Sequence, residues 1–143
     1  MQPSISIILC TYNESVTIEK TIKKIQEDFP ESEIIIIDDN SNDGTQDIIK
    51  KLKYENINLI CRKARGLASA CLVGLIYSKK DIVCWIDSNQ PNLVKEIPIM
   101  LNELKENDIT LMSRYVEGGK DLRSTKRVLS SILINFLCRL ILD

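Results

Sequence analysis

The chain has 143 residues, 44% hydrophobic and 27% charged, with a net charge of −1; this is an ordinary globular composition without the basic excess that draws a protein to nucleic acid. At this length one domain buries roughly 70% of the surface its unfolded form exposes, so we expect a single domain over 1–143. The absence of histidine excludes a Ser-His-Asp triad, a histidine general base and a His-ligated metal, and leaves acid, base and metal chemistry to carboxylates.

In chain order, an apolar β-branched run at 4–10 predicts a first strand, followed by Thr11, Tyr12, Asn13 and Glu14. A helix then starts at Ser15 as N-cap, carries Val16, Ile18, Ile22, Ile25 and Phe29 largely on one face, and stops at Pro30. The run at 33–37, with four consecutive isoleucines, suits a central strand, and the polar stretch DDNSNDG follows it at 38–44. Next come a helix at 45–53, a strand at 57–61 followed by Arg62, Lys63, Ala64, Arg65 and Gly66, and a helix at 67–77. A strand at 81–86 leads into Asp87, Ser88 and Asn89, a helix covers 93–105, a fifth strand covers 109–112 ahead of Ser113, Arg114 and Tyr115, and a last helix covers 124–142.

Strands alternating with helices imply an α/β fold, a mostly parallel sheet with helices on both faces. The five cysteines, Cys10, Cys61, Cys71, Cys84 and Cys138, are odd in number, contain no Cys-x-x-Cys pair and mostly sit in apolar runs. They read as reduced core thiols of a cytoplasmic protein, not as a disulfide framework or a zinc site. The N-terminus lacks the basic start and long apolar stretch of a signal peptide, and the apolar segment at 128–142 is too short, and too interrupted by Asn135 and Arg139, to span a bilayer.

In open α/β sheets ligands bind at the crevice beyond the carboxyl ends of the strands. The residues predicted there are polar throughout, mixing carboxylates, amides and arginines, a set that suits a nucleotide sugar. Aspartate accepts from a base or ribose, Tyr12 stacks, and Arg114 pairs with phosphate through its planar fork. The same Asp, Asn and Gly residues also serve as helix caps and turn formers, so DDNSNDG can also be read as a structural loop. Neither G-x-G-x-x-G nor G-x-x-x-x-G-K-[ST] is present, which disfavours a dinucleotide dehydrogenase or a P-loop enzyme.

The segments ILCTYNE, IIIIDDNSNDGT, RKARGLASA, IDSNQPNLVKEIP and SRYVEGG, in this order, resemble family 2 glycosyltransferases of the GT-A fold, nearest the dolichyl- and polyprenyl-phosphate mannosyltransferases. The resemblance implies a Rossmann-like GT-A domain, incomplete at its C-terminus because family members continue past the final helix into further strand and acceptor elements. It implies inverting transfer of a hexose, mannose foremost, from GDP-mannose to a lipid phosphate, at the cytoplasmic face of a membrane. Tyr12, Glu14 and Asp39 then correspond to donor-nucleotide contacts, Cys10 and Ile37 to the base pocket, and Asp87, the residue assigned to catalysis, to the ribose or sugar phosphate, with Ser88 and Asn89 beside it. Arg114 and Arg127 correspond to phosphate-binding arginines.

The family uses Mg²⁺ or Mn²⁺, held by an Asp-Ala-Asp segment and a nearby Gln. This chain has Asp87-Ser88-Asn89, and Pro91 in place of the Gln. Exchanging a carboxylate for a neutral amide weakens a hard-cation site, so Asn89 is a poor ligand and metal binding is expected to be weakened. The alternative is therefore a non-catalytic nucleotide-sugar-binding or interaction domain of the same descent. A nucleotidyltransferase ranks lower, because no Gly-rich basic loop follows the first strand. The apolar stripe of the last helix, Val128, Leu129, Ile132, Leu133, Phe136, Leu137 and Leu140, flanked by Arg123, Lys126, Arg127 and Arg139, predicts a homodimer contact or a peripheral membrane contact.

Overall fold

The computed structural model describes residues 4–113 and 124–142. Four strands, β1 (Ile5–Thr11), β2 (Glu33–Asp38), β3 (Ile57–Cys61) and β4 (Ile82–Asp87), form a sheet in the order β3-β2-β1-β4. Every neighbouring pair is parallel. Parallel neighbours need crossovers, supplied here by α1 (Ile18–Asp28), α2 (Thr45–Lys51) and α3 (Leu67–Tyr77).

Residue alternation divides the core in two. Ile5, Ile7, Leu9, Ile34 and Ile36 pack with Ile18, Ile22 and Ile25 of α1 on one face, joined by Ile49 of α2. Ile8, Ile35 and Ile37 pack with Ala70 of α3 on the other. Ile34, Ile35, Ile36 and Ile37 are all at 0% exposure, which is why β2 reads as a continuous apolar run instead of an alternating one. The predicted α/β sheet covered on both faces is thus the architecture found. At Gly74 α3 lies close against β1: a Cβ there would stand 2.5 Å from Ile8 Cγ2.

Local differences have identifiable causes. Helix α1 starts at Ile18, not after a Ser15 cap. The segment is instead closed by a turn in which Thr17 N and Ile18 N donate to Glu14 O at 3.1 and 2.9 Å, and Ser15 N donates to Asp43 Oδ2 at 3.0 Å. Val16, expected on the buried face, is consequently 92% exposed. The helix predicted at 93–105 is a 3₁₀ helix over Pro91–Glu96 followed by α4 (Ile97–Glu103). Pro98 has no N–H to continue an α-helical ladder from Val94, so two short pieces replace one long one.

The predicted fifth strand is not found. Residues 109–112 have no regular structure, and Ile109 and Leu111 are 76% and 86% exposed, so the run buries little of the apolar surface that would hold a strand in place. The cysteines are free, but only Cys84 is a buried core thiol, while Cys61 and Cys138 are exposed. Cys61 ends the edge strand β3, where only one side of the ladder is covered.

The chain divides into two compact units, Met1–Asn102 and Glu103–Asp143. The first contains the sheet and α1 to α3. In the second, α5 (Thr125–Leu142) exposes Leu129, Ile132, Leu133, Phe136, Leu137 and Leu140 at between 45% and 70%. Among the described residues, no helix is long and apolar enough to cross a membrane.

Candidate functional site

The carboxyl ends of β1, β2 and β4 lie side by side. Cys10 is in register with Ile37 on one flank and Asp87 on the other, and Thr11 with Asp38. Beyond them the chain turns at Asn13 and Asn40, whose φ values of 55° and 60° are left-handed. Asparagine tolerates this conformation better than other side chains, which accounts for its place in both TYNE and DDNS. The two loops are sewn together, with Asn13 N donating to Ser41 Oγ at 2.8 Å and Asn42 N to Asn13 Oδ1 at 3.0 Å.

The loop at 38–45 combines structural and open carboxylates. Asp38 is fully buried and accepts from Ser41 N, Ser41 Oγ and Gln46 Nε2 at 2.9, 2.5 and 2.6 Å. Asp43 accepts from Thr45 Oγ1 at 2.5 Å and Thr45 N at 3.1 Å. The Thr45 hydroxyl, with the Ser15 and Thr45 N–H groups, holds the Asp43 carboxyl well below the usual carboxylate range. These two residues fold the loop, as the structural reading of DDNSNDG expects.

Asp39 is different. Its carboxylate forms a bidentate pair with Arg62, one contact being Arg62 Nη2 to Oδ2 at 3.0 Å, and Gly66 N donates to the same Oδ2 at 2.9 Å. Side-chain exposure is 10% for Asp39 and 13% for Arg62. Burial works to raise the carboxyl, but the Arg62 guanidinium and the Gly66 N–H outweigh it and keep Asp39 below its ordinary value. Gly66 fits because its φ is 139°, outside the reach of most L side chains. Beside this pair, the Arg65 guanidinium lies over the Tyr12 ring, 4.1 Å from its centroid, and an Arg65 N–H donates to the Tyr12 hydroxyl, a cation–π arrangement.

At the β1–β4 side, Asn89 Nδ2 donates to Glu14 Oε1 at 3.1 Å, and Glu14 Oε2 accepts from Thr17 Oγ1 at 2.9 Å. Gln90 Nε2 donates to Asp87 Oδ2 at 2.8 Å. Ser88 is buried, and its carbonyl accepts from Thr21 Oγ1 of α1 at 2.7 Å. Among the described residues no group of three His, Cys, Asp or Glu side chains converges to hold a metal ion.

The edge therefore brings together Cys10, Tyr12, Glu14, Asp39, Asp87, Ser88 and Asn89. Ile37 is also there in register, but at 0% exposure it supports Cys10 from within the core and offers no surface to an open pocket. Arg127 lies in the first turn of α5 and is exposed; Arg114 and Arg123 fall outside the described residues. Sequence reasoning named Arg62, Arg65 and Gly66 only as residues following a strand. Their signal was that position, a basic run on the same edge as the aspartates. A groove between α1 and the 3₁₀ helix is lined by Val16, Lys20, Lys23, Pro91 and Lys95 and by none of the strand-end residues.

Comparison with known proteins gives the family and the fold. The family model described as Glycosyl transferase family 2 matches residues 6–142. A dolichol-phosphate mannosyltransferase of Saccharomyces cerevisiae is 29% identical over 137 residues, covering 88% of this chain and 51% of the relative. An undecaprenyl-phosphate mannosyltransferase of Micrococcus luteus is 28% identical over 119 residues, covering 79% and 49%. The chain thus spans about half the length of these relatives. Among solved structures, the mannosyltransferase PcManGT of Pyrobaculum calidifontis, in complex with GDP-Man and Mn²⁺, superposes with a TM-score of 0.57 at 27% identity, over 62% of this chain and 28% of that one. Glucosyl-3-phosphoglycerate synthase of Mycobacterium tuberculosis, with Mn²⁺, UDP and glucosyl-3-phosphoglycerate, gives 0.59 at 26% identity, over 72% and 40%.

Proposed function

Since the chain belongs to the family 2 glycosyltransferases, its family model covering residues 6–142, we propose that 1–143 is one donor-binding domain whose strand edge takes a nucleoside-diphosphate sugar, GDP-mannose foremost. The observation that carries this reading is the Asp39 carboxylate held ionised by Arg62 and Gly66 next to the Tyr12–Arg65 stack. A planar base finds there a ring to lie on and a fixed acceptor for its N–H groups. Glu14 completes the nucleotide contacts, Cys10 borders the base, and Asp87, with Ser88 and Asn89, faces the ribose and sugar phosphate. Arg114 and Arg127 are assigned to the diphosphate.

The reaction proposed is the one named for the relatives, hexose transfer to a polyprenyl or dolichyl phosphate. The acceptor phosphate oxygen bonds to the anomeric carbon as the bond from that carbon to the diphosphate oxygen breaks, inverting the centre and releasing the nucleoside diphosphate. The acceptor is already an anion, so no histidine is needed. We place this chemistry at the cytoplasmic face of a membrane, with α5 as a peripheral membrane contact or a dimer contact.

A divalent cation is typical of the structural neighbours, among them ones solved with Mn²⁺ or Mg²⁺. In this chain Glu14 and Asp87 each accept from a neutral amide, Asn89 and Gln90, and such a set offers a hard cation little. We therefore propose weak metal dependence and route no step through a metal. The same observation favours the second reading, a domain that binds the nucleotide sugar without transferring it. Incubation with GDP-mannose and polyprenyl phosphate separates the two: lipid-linked mannose supports the transferase, and nucleotide binding without product supports the binding domain.

A further inference from the structure

Cys10, the last residue but one of β1, and Cys71, in the second turn of α3, are separated by 61 positions in sequence, yet their sulfurs stand 3.5 Å apart. Both are free and half-buried. Cys10 packs against the cluster of Ile8, Ile35, Ile37 and Ala70, and Ala70 directly precedes Cys71. A disulfide needs a sulfur separation of about 2.05 Å, so closing the bond asks for about 1.5 Å of approach, within reach of modest side-chain rotation and a small shift of α3.

We propose that Cys10 and Cys71 form a reversible intramolecular disulfide, a modification site that adjusts nucleotide binding at the strand edge. The second clause rests on the donor-site reading, while the disulfide itself does not. The oxidant is a low-molecular-weight disulfide. The Cys71 thiolate attacks one of its sulfurs and releases one small thiolate, leaving a mixed disulfide on Cys71. Cys10 then attacks the Cys71 sulfur, loses its proton and expels the second small thiol. Two protein thiols are oxidised and one external disulfide is reduced to two thiols. Burial, then the neighbouring Cys71 sulfur, pushes the Cys10 thiol up to about 12; this keeps Cys10 protonated and makes its attack the slow step, driven by the 3.5 Å proximity of the two sulfurs.

The link to the site is short. Helix α3 begins at Leu67, immediately after Gly66, whose N–H holds Asp39. Drawing Cys71 toward β1 moves the start of α3 and, with it, the donor that orients Asp39. A displacement near 1 Å at a positioning group costs up to about 100-fold in function.

The test uses the full chain carrying Cys61→Ser and Cys138→Ser, which removes the two exposed thiols, incubated with oxidised glutathione and compared with its reduced form. Peptide mapping should show the Cys10 peptide joined to the Cys71 peptide, with a loss of about 2 Da in the intact mass, and the added Cys71→Ser variant should show neither. The oxidised form should bind GDP or UDP roughly tenfold more weakly by calorimetry, with dithiothreitol restoring the reduced affinity. Glutathionylation that stops at the mixed disulfide, or no reaction at Cys10, overturns the disulfide. A mapped disulfide with unchanged affinity overturns the control of binding. If the reduced protein binds no nucleotide, the control falls with the donor-site reading, and the peptide map alone decides the disulfide.

Discussion

The Asn89 side-chain amide donates to Glu14 Oε1 at 3.1 Å, joining the end of β4 to the turn after β1. A neutral donor thus stands on this carboxylate. Replacing it by Asn89→Asp sets a second carboxylate against Glu14, which repels it in the absence of a cation and adds a hard oxygen ligand in its presence. We expect this variant to melt lower than the parent without metal and to gain stability on addition of Mn²⁺, while the parent responds little. Pro91→Gln in the same background should enlarge the gain. Thermal denaturation with and without Mn²⁺ measures both, and an equal Mn²⁺ response in the parent contradicts the account.

Asp39 and Arg62 make a nearly buried ion pair. Removing one partner from such a pair leaves a buried charge and costs about 3 kcal/mol, so Arg62→Met should be clearly destabilised in urea unfolding. The pH dependence follows in sign from the lowered Asp39 carboxyl. Its contribution to stability is complete above the unfolded carboxylate value of about 3.9 and is lost as pH falls through the lower folded value. Melting temperatures measured from neutral pH down to acid should therefore decline less steeply in Asp39→Asn than in the parent. Parallel curves would show that the pair does not act as described.

Gly74 and Ile8 test the packing of α3 on β1. Alanine at 74 gains up to about 1 kcal/mol in helix propensity, but its Cβ would stand 2.5 Å from Ile8 Cγ2, and overpacking of this kind costs about 1–3 kcal/mol. Gly74→Ala should be net destabilising in the parent and neutral or stabilising in an Ile8→Ala background. Additive effects in that cycle would remove the close approach.

The exposed apolar residues of α5 are the proposed contact surface. The full chain should float with vesicles rich in anionic lipid or sediment as a dimer, and the pair Leu133→Glu with Phe136→Glu should abolish either behaviour. A monomer indifferent to vesicles contradicts the proposal.

Much of this was readable from residue pattern. The four strands of the sheet carry β-branched runs ending in polar clusters, and the four isoleucines of β2 announced a strand covered on both faces. The same criterion misled at 109–112, where apolar character was present but no regular structure formed. Ser15 looked like a cap because its type is right, yet the left-handed Asn13 brings Ser15 N to Asp43 instead. Partnerships across distant segments left no local mark: Arg62 with Asp39 is separated by 23 positions, Arg65 with Tyr12 by 53, and Cys10 with Cys71 by 61. The first two depend on strand order and register, and the third also on how α3, which carries Cys71, lies over the sheet.

The most direct test of the donor site is a calorimetric titration of the reduced chain with GDP and UDP, followed in parallel by Trp85, which is 53% exposed on β4 two residues before Asp87. The account predicts saturable binding of at least one nucleotide with a dissociation constant below about 1 mM, little changed by Mn²⁺ and lost in Asp39→Ala. No heat and no fluorescence change with either nucleotide at millimolar concentration, or equal binding by Asp39→Ala, would contradict it.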